Sequence, residues 1–162
     1  AAKRLSADAV NLSAGGSSLT KAETLSDMAR NLAAMNADVL VVRDKTSGVP
    51  HMLAKHVRIP VVNAGDGTHE HPTQGLLDIM TMRQRLGDLR GKKVTIIGDI
   101  THSRVARSNL WLLSKMGAQV VLCGPPTVIP PGIEGLAPVT YRLEEAIAIL
   151  PHGDSHPPPR SN

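Results

Sequence analysis

The chain has 162 residues, with 41% apolar and 20% charged side chains, the balance of an ordinary folded protein. Its formal charge of +4 is spread thinly, with no run of five or more Lys or Arg, and Trp111 and Tyr141 are the only aromatics. That argues against a basic tail for DNA or anionic membranes and against an aromatic platform for single-stranded nucleic acid. Cys123 stands alone, so neither an internal disulfide nor a cysteine-based zinc site can form, which suits a reducing compartment. No apolar stretch approaches the ~20 residues of a membrane span and no signal-peptide pattern is visible, so the expected location is the cytoplasm.

The chain opens on AAKRL, which reads as the interior of a helix, and residues 8–12 (DAVNL) read as a short strand. A Gly-Ser loop at 15–18 precedes a helix whose stripe is Leu25, Met28, Ala29, Leu32 and Met35. Its start is open between two capping boxes, Thr20 with Glu23 and Thr24 with Asp27. Residues 38–43 (DVLVVR) read as a buried strand ending at Arg43, and a short helix is expected over His51 to His56. The strand VVNA (61–64) follows, then a tight turn at GDG (65–67).

Pro72 suits the first turn of a helix whose apolar side is Leu76, Leu77, Ile79, Met80 and Met82, ending near Leu86-Gly87. A strand over 92–98, a helix over 103–116 and a strand over 118–123 form a strand–helix–strand unit, the crossover that parallel strands require. A short strand near 138–140 and a helix from Leu143 come next, and the Pro-rich segment 151–162 reads as a disordered tail. The order predicts an α/β fold of two Rossmann-like half-domains with parallel sheets joined by the long 72–87 helix.

In open α/β sheets, ligands bind beyond the carboxyl ends of the strands. Three such ends carry polar groups: Arg43, the run His69, Glu70, His71 and Gln74, and the run Asp99, His102, Ser103 and Arg104. Arg43 and Arg104 present forked donors suited to phosphate or carboxylate, although a lone arginine is more often a surface group. His71 before Pro72 sits at a helix N-terminus, where it either meets an anion or polarised oxygen or simply caps the helix. His69-Glu70-His71 lacks a third ligand at a metal-binding spacing, so no metal is expected. Ser17, Ser18 and Lys21 could touch phosphate, but GGSSLTK does not have P-loop spacing.

Taken in order, SSLTKAETL (17–25), VVR (41–43), VNAGDGTHEHPTQGLLD (62–78), IIGDITHSRVARSN (96–109) and CGPPT (123–127) resemble the aspartate carbamoyltransferase family. HPTQ is shared with the wider carbamoyltransferase superfamily, whereas the GDG–HPTQ run together with GDI–HSRVARSN follows the aspartate branch over the ornithine one. The resemblance implies transfer of a carbamoyl group from carbamoyl phosphate to L-aspartate in pyrimidine biosynthesis, with no cofactor. It implies a carbamoyl phosphate site of Arg43, His71, Gln74 and Ser17, with Arg43 and His71 polarising the carbonyl. It assigns Lys21 and Arg104 to aspartate, with Ser17 and Lys21 on a loop that reaches a neighbouring subunit's site in a homotrimer.

The implied organisation is a carbamoyl-phosphate-binding part over 1–71, an interdomain helix over 72–87 and an aspartate-binding part over 91–150. A Ser-Thr-Arg-Thr-Arg phosphate motif expected before AAKRL and an Arg-x-Gln segment expected downstream are not in the sequence, so a fragment is expected, with a truncated inactive fragment or binding partner of the same fold as the alternative. Ala22 stands where the family has the glycine of KGET, and Asp44 where a histidine commonly follows the arginine.

Overall fold

The computed structural model describes residues 2–12 and 25–148. The chain opens on a 3₁₀ turn, Ala2–Leu5, in place of the helix interior expected there. Residues 8–12 form no strand: Val10 is 82% exposed, and no described strand lies beside the segment to take up its backbone hydrogen bonds. Helix α1 (Leu25–Ala34) follows, with Ala29 buried on its inner side, while Met35 lies just beyond its end and is exposed. The capping residues proposed at 20–24 lie outside the described residues, as does the 151–162 segment.

Strands β1 (Leu40–Asp44) and β2 (Val61–Asp66) form a two-stranded sheet, connected through helix α2 (Val49–Ala54). Leu40 N donates to Pro60 O at the strand starts and Gly67 N to Asp44 O at their ends, so the two run in the same direction. The expectation of a buried first strand fails. β1 alternates between half-buried and exposed residues, with Val41 exposed, the period of a strand covered on one face only. The expected turn at 65–67 also begins later, since β2 continues through Gly65 and Asp66. An antiparallel bridge from Asp66 to Glu70 then closes a turn over 67–69.

Helix α3 (Pro72–Leu86) starts where proline is best tolerated and stops at Gly87, whose φ of 74° suits glycine. Only part of its expected apolar side is covered. Gly75 and Ile79 are buried and Met82 packs on the core, whereas Leu76, Leu77 and Met80 are exposed. Then come β3 (Lys93–Ile97), α4 (Arg104–Lys115), β4 (Gln119–Cys123), β5 (Val139–Thr140) and α5 (Leu143–Ala148).

β3, β4 and β5 form a parallel sheet in that order, with Lys93 opposite Gln119, Ile97 opposite Cys123 and Leu122 opposite Val139. β4 is central, and its last four residues are buried, as a strand flanked on both sides requires. The strand–helix–strand reading of 92–123 therefore holds. The core is aliphatic: Ile79, Leu89, Ile100, Leu110, Leu113, Val120 and Leu122 fill it with no aromatic ring.

Contacts group the chain into two compact units, one of residues 1–40 and 51–62 and the other of residues 41–50 and 63–162. The second holds the aliphatic core just described and every residue of the site below. Within it, α3 and α4 approach closely because Gly75 has no side chain. A Cβ there would stand 2.6 Å from Leu112 Cδ1 and 3.3 Å from Ser108 Cβ. No helix among the described residues is long and apolar enough to cross a membrane.

Candidate active site

The site is built from backbone outward. Gly65, near the end of β2, has φ of 112°, a conformation that glycine alone adopts freely. A Cβ on it would lie 3.2 Å from Arg104 Cζ and Nε and 3.2 Å from His71 Cδ2, so the guanidinium and the imidazole meet over bare backbone. Arg104 is the first residue of α4, held there by Ser103, whose Oγ accepts from Ala106 N at 3.1 Å. Its Nη1 donates to Gly67 O at 3.2 Å.

His71 caps α3. Its Nδ1 accepts from Gln74 N at 3.4 Å and faces the Thr73 hydroxyl at 3.2 Å, while its own N–H donates to Ser108 Oγ at 2.8 Å. A neutral imidazole that accepts at Nδ1 carries its proton on Nε2, which makes Nε2 a donor. Partial burial disfavours the charged ring and holds its pKa below 6.5, helped by the positive charges of Arg104 and Arg43 and opposed by Asp78. His71 and Arg104 thus meet over Gly65, and the charge of the exposed Arg43 acts on the same ring, so a neutral N–H donor has one cation beside it and a second within electrostatic reach. Such a set can hold an anion and polarise a carbonyl oxygen next to it.

A buried carboxylate organises the turn behind this set. Asp66 is 1% exposed and accepts from Gly48 N at 2.6 Å, Asn63 Nδ2 at 2.8 Å, His69 Nδ1 at 3.0 Å and Glu70 N at 3.1 Å. Burial alone raises its pKa, but these four donors outweigh burial and leave it below 3.8. Asp44 turns its carboxylate onto its own loop, accepting from Thr46 N at 2.7 Å.

A family model described as the aspartate/ornithine carbamoyltransferase carbamoyl-P binding domain matches residues 1–84. The aspartate carbamoyltransferase catalytic subunit of Geotalea daltonii is 61% identical over 150 residues, which are 91% of this chain and 48% of that protein. The chain belongs to the aspartate/ornithine carbamoyltransferase family. The Myxococcus xanthus catalytic subunit is 56% identical over 156 residues, covering 96% of this chain and 52% of its own length. The chain therefore spans about half the length of the curated relatives it matches.

Among solved structures, the Trypanosoma cruzi aspartate transcarbamoylase with aspartate and phosphate superimposes with a TM-score of 0.78 at 30% identity, covering 90% of this chain and 52% of that one. The same enzyme with carbamoyl phosphate and aspartate gives a TM-score of 0.75 at 32% identity, covering 91% and 45%.

Of the residues expected at the strand ends of this carbamoyltransferase chain, His71 and Arg104 come together over Gly65, Arg43 is exposed and its charge acts on the His71 ring, and Gln74 lies one turn into α3 from His71. Ser17 and Lys21 lie outside the described residues. Asp99 and His102 bond to each other at 2.8 Å. His69 and Glu70 serve Asp66, and among the described residues no group of three metal-ligating side chains is gathered.

The reading of residue types overlooked Asp66, Asp78, Ser108 and Asn109. Asp66 hid inside a glycine turn, and Ser108 and Asn109 sit far along the chain from the residues they bond. Asp78 was legible in principle, since a carboxylate four residues after Gln74 on a helix is within reach of its amide.

Proposed function

We propose that this chain carries the carbamoyl phosphate site, and part of the aspartate site, of an aspartate carbamoyltransferase. The observation that carries the proposal is the meeting of His71 and Arg104 over Gly65, with Arg43 close enough to act on the ring's charge. In this reading Arg43 holds phosphate, and with His71 Nε2–H it donates to the carbamoyl oxygen. Gln74 accepts from the carbamoyl nitrogen. Arg104 and Lys21 grip the aspartate carboxylates, and Ser17 adds a phosphate contact.

The aspartate amine gives its lone pair to the carbamoyl carbon, charge gathers on the carbonyl oxygen, and the carbon–oxygen bond to phosphate breaks with its electron pair leaving on phosphate. The surplus amine proton passes to the departing phosphate. Donors already aimed at the oxygen cost no reorganisation, and orienting two anionic substrates supplies much of the remaining rate. No cofactor enters the reaction.

The same reading makes 1–71 the carbamoyl-phosphate-binding part, 72–87 an interdomain helix and 91–150 part of the aspartate-binding domain. It makes the enzyme a cytoplasmic homotrimer of pyrimidine synthesis whose sites are shared between subunits. The relatives named as catalytic subunits and the T. cruzi complexes with carbamoyl phosphate and aspartate support it.

The test is formation of carbamoyl aspartate by the full chain, with ornithine as the competing acceptor. His71→Ala and Arg43→Ala are each expected to lower kcat by about 10²- to 10³-fold, the usual loss for one donor to a developing oxyanion. Unchanged rates in both variants, or preference for ornithine, reject the proposal.

A further inference from the structure

Gln74 has a primary amide, whose two ends are nearly the same size and opposite in hydrogen-bonding sense. Whichever end faces the substrate decides whether the site accepts or donates. In this structure Gln74 Nε2 donates to Asp78 Oδ1 at 2.8 Å, one turn further along α3. The second oxygen of the same carboxylate, Oδ2, accepts from Asn109 Nδ2 of α4 at 2.7 Å. An ionised carboxylate only accepts, so it holds both amides by their nitrogens and turns both amide oxygens away.

The arrangement has a visible cost. Asn109 Oδ1 is buried and has no partner among the described residues, a loss that burial of a polar atom normally forbids. Packing helps to hold Asn109 in this pose, because the missing side chain of Gly75 lets α3 and α4 close to within reach; a Cβ there would stand 3.4 Å from Asn109 Oδ1. One amide is thus kept in a poor environment so that a second carboxylate oxygen is occupied. With both of its oxygens engaged, Asp78 cannot swing away from Gln74.

We infer that Asp78 is a positioning residue that locks Gln74 with Oε1 toward the substrate, so that the site selects an N–H donor on the reacting carbon. The inference rests on the reading above that Gln74 faces the carbamoyl nitrogen. The recognised chemistry is a planar acyl phosphate bearing an NH₂ group. An acyl phosphate with a methyl in its place meets an unpaired acceptor, and one with a carboxylate oxygen meets a like dipole. Sites built around a substrate N–H reject analogues lacking it because the site's own polar atom is left unpaired.

The experiment measures dissociation constants of the full chain for carbamoyl phosphate and for acetyl phosphate by calorimetry, in wild type, Gln74→Leu, Asp78→Asn, Asp78→Glu and the Gln74→Leu/Asp78→Asn double variant. Asp78→Asn keeps the shape but can offer either a donor or an acceptor, so the Gln74 amide is free to turn. The ratio of the two constants is expected to shrink about tenfold, roughly the worth of one hydrogen bond. Acetyl phosphate itself should be little affected, and Asp78→Asn should cause no further shrinkage when added to Gln74→Leu. Asp78→Glu, which keeps an acceptor-only group, should hold the ratio within about threefold of wild type.

Equal weakening of both ligands by Asp78→Asn, or equal loss of the ratio by Asp78→Asn and Asp78→Glu, overturns the inference and leaves Asp78 a packing residue. A Gln74→Leu variant that keeps the full wild-type ratio overturns instead the assignment of Gln74 on which the inference rests.

Discussion

At the residue scale the chemistry depends on protonation states that the surroundings enforce. His71 has its pKa held below 6.5 by partial burial and by Arg104 and Arg43. The folded protein therefore binds this proton more weakly than the unfolded chain. Stability is unaffected by His71 above pH 6.5 and declines as pH falls from 6.5 through the lower folded value. Its neutral form, the one with a donor at Nε2, is also the form that polarises a carbonyl without adding a charge. Replacing Arg43 by Gln removes one of the cations, so the His71 midpoint, followed by ring-proton NMR, is expected to move up toward 6.5. A midpoint that stays where it is contradicts an influence of the Arg43 charge on the ring.

Asp66 behaves in the opposite sense, as a carboxylate whose folded pKa lies below its unfolded value of 3.8. Its contribution to stability is complete above pH 3.8 and is lost as pH falls through the folded pKa. Asp66→Asn sets an NH₂ group against a ring of donors and is expected to cost about 2–4 kcal/mol, read as a lower urea midpoint at pH 7. A loss under about 0.5 kcal/mol, the range of ordinary surface changes, contradicts the hydrogen-bond set described around it.

Elements transmit these requirements to one another. α3 presents His71, Gln74 and Asp78 on successive turns, and α4 answers with Ser108 and Asn109. Gly75 lets the two helices meet. Gly75→Val brings branched carbons to where Leu112 and Ser108 already lie, with an expected loss of about 1–3 kcal/mol by chemical denaturation. It should also weaken carbamoyl phosphate binding, because Asn109 then loses its reach to Asp78; wild-type affinity in a destabilised variant argues against coupling between helix approach and the site.

Elements were also where local pattern was most legible. The β3–α4–β4 unit, the proline start of α3 and its glycine stop all follow from nearest-neighbour chemistry. What failed depended on neighbours far along the chain. DAVNL has strand composition but no described strand beside it, and VLVV reads as buried although one face of β1 is open to solvent. Leu76, Leu77 and Met80 complete an apolar pattern on α3, yet only the Gly75–Ile79–Met82 side meets the core.

For the whole molecule, an aliphatic core without aromatic rings and an α/β order were readable from composition and periodicity alone. The family was readable from ordered motifs, and the relatives bear it out at 56–61% identity. Of the expected set Arg43, His71 and Arg104, the meeting of the last two was legible only as a tendency of strand ends to share a rim. Its actual cause, a side-chain-free Gly65 on which two of these groups rest, needed coordinates. A substitution at that point therefore tests the architecture. Gly65→Ala forces a strained backbone and sets a methyl against both Arg104 and His71, displacing them, so carbamoyl phosphate affinity should fall by tenfold or more, on the order of 1.4 kcal/mol. Calorimetry on a variant shown to be folded by its thermal transition checks it, and affinity within twofold of wild type speaks against the site.

The account turns on a neutral imidazole that donates from Nε2 to the carbonyl of an acyl phosphate. Nitrogen-15 NMR of His71 in the full chain at pH 7.5, with and without carbamoyl phosphate, observes that proton directly. The account predicts a proton on Nε2, bare Nδ1, and a marked downfield shift of the Nε2 proton when carbamoyl phosphate binds. A proton found on Nδ1, or an Nε2 signal unmoved by saturating carbamoyl phosphate, contradicts it.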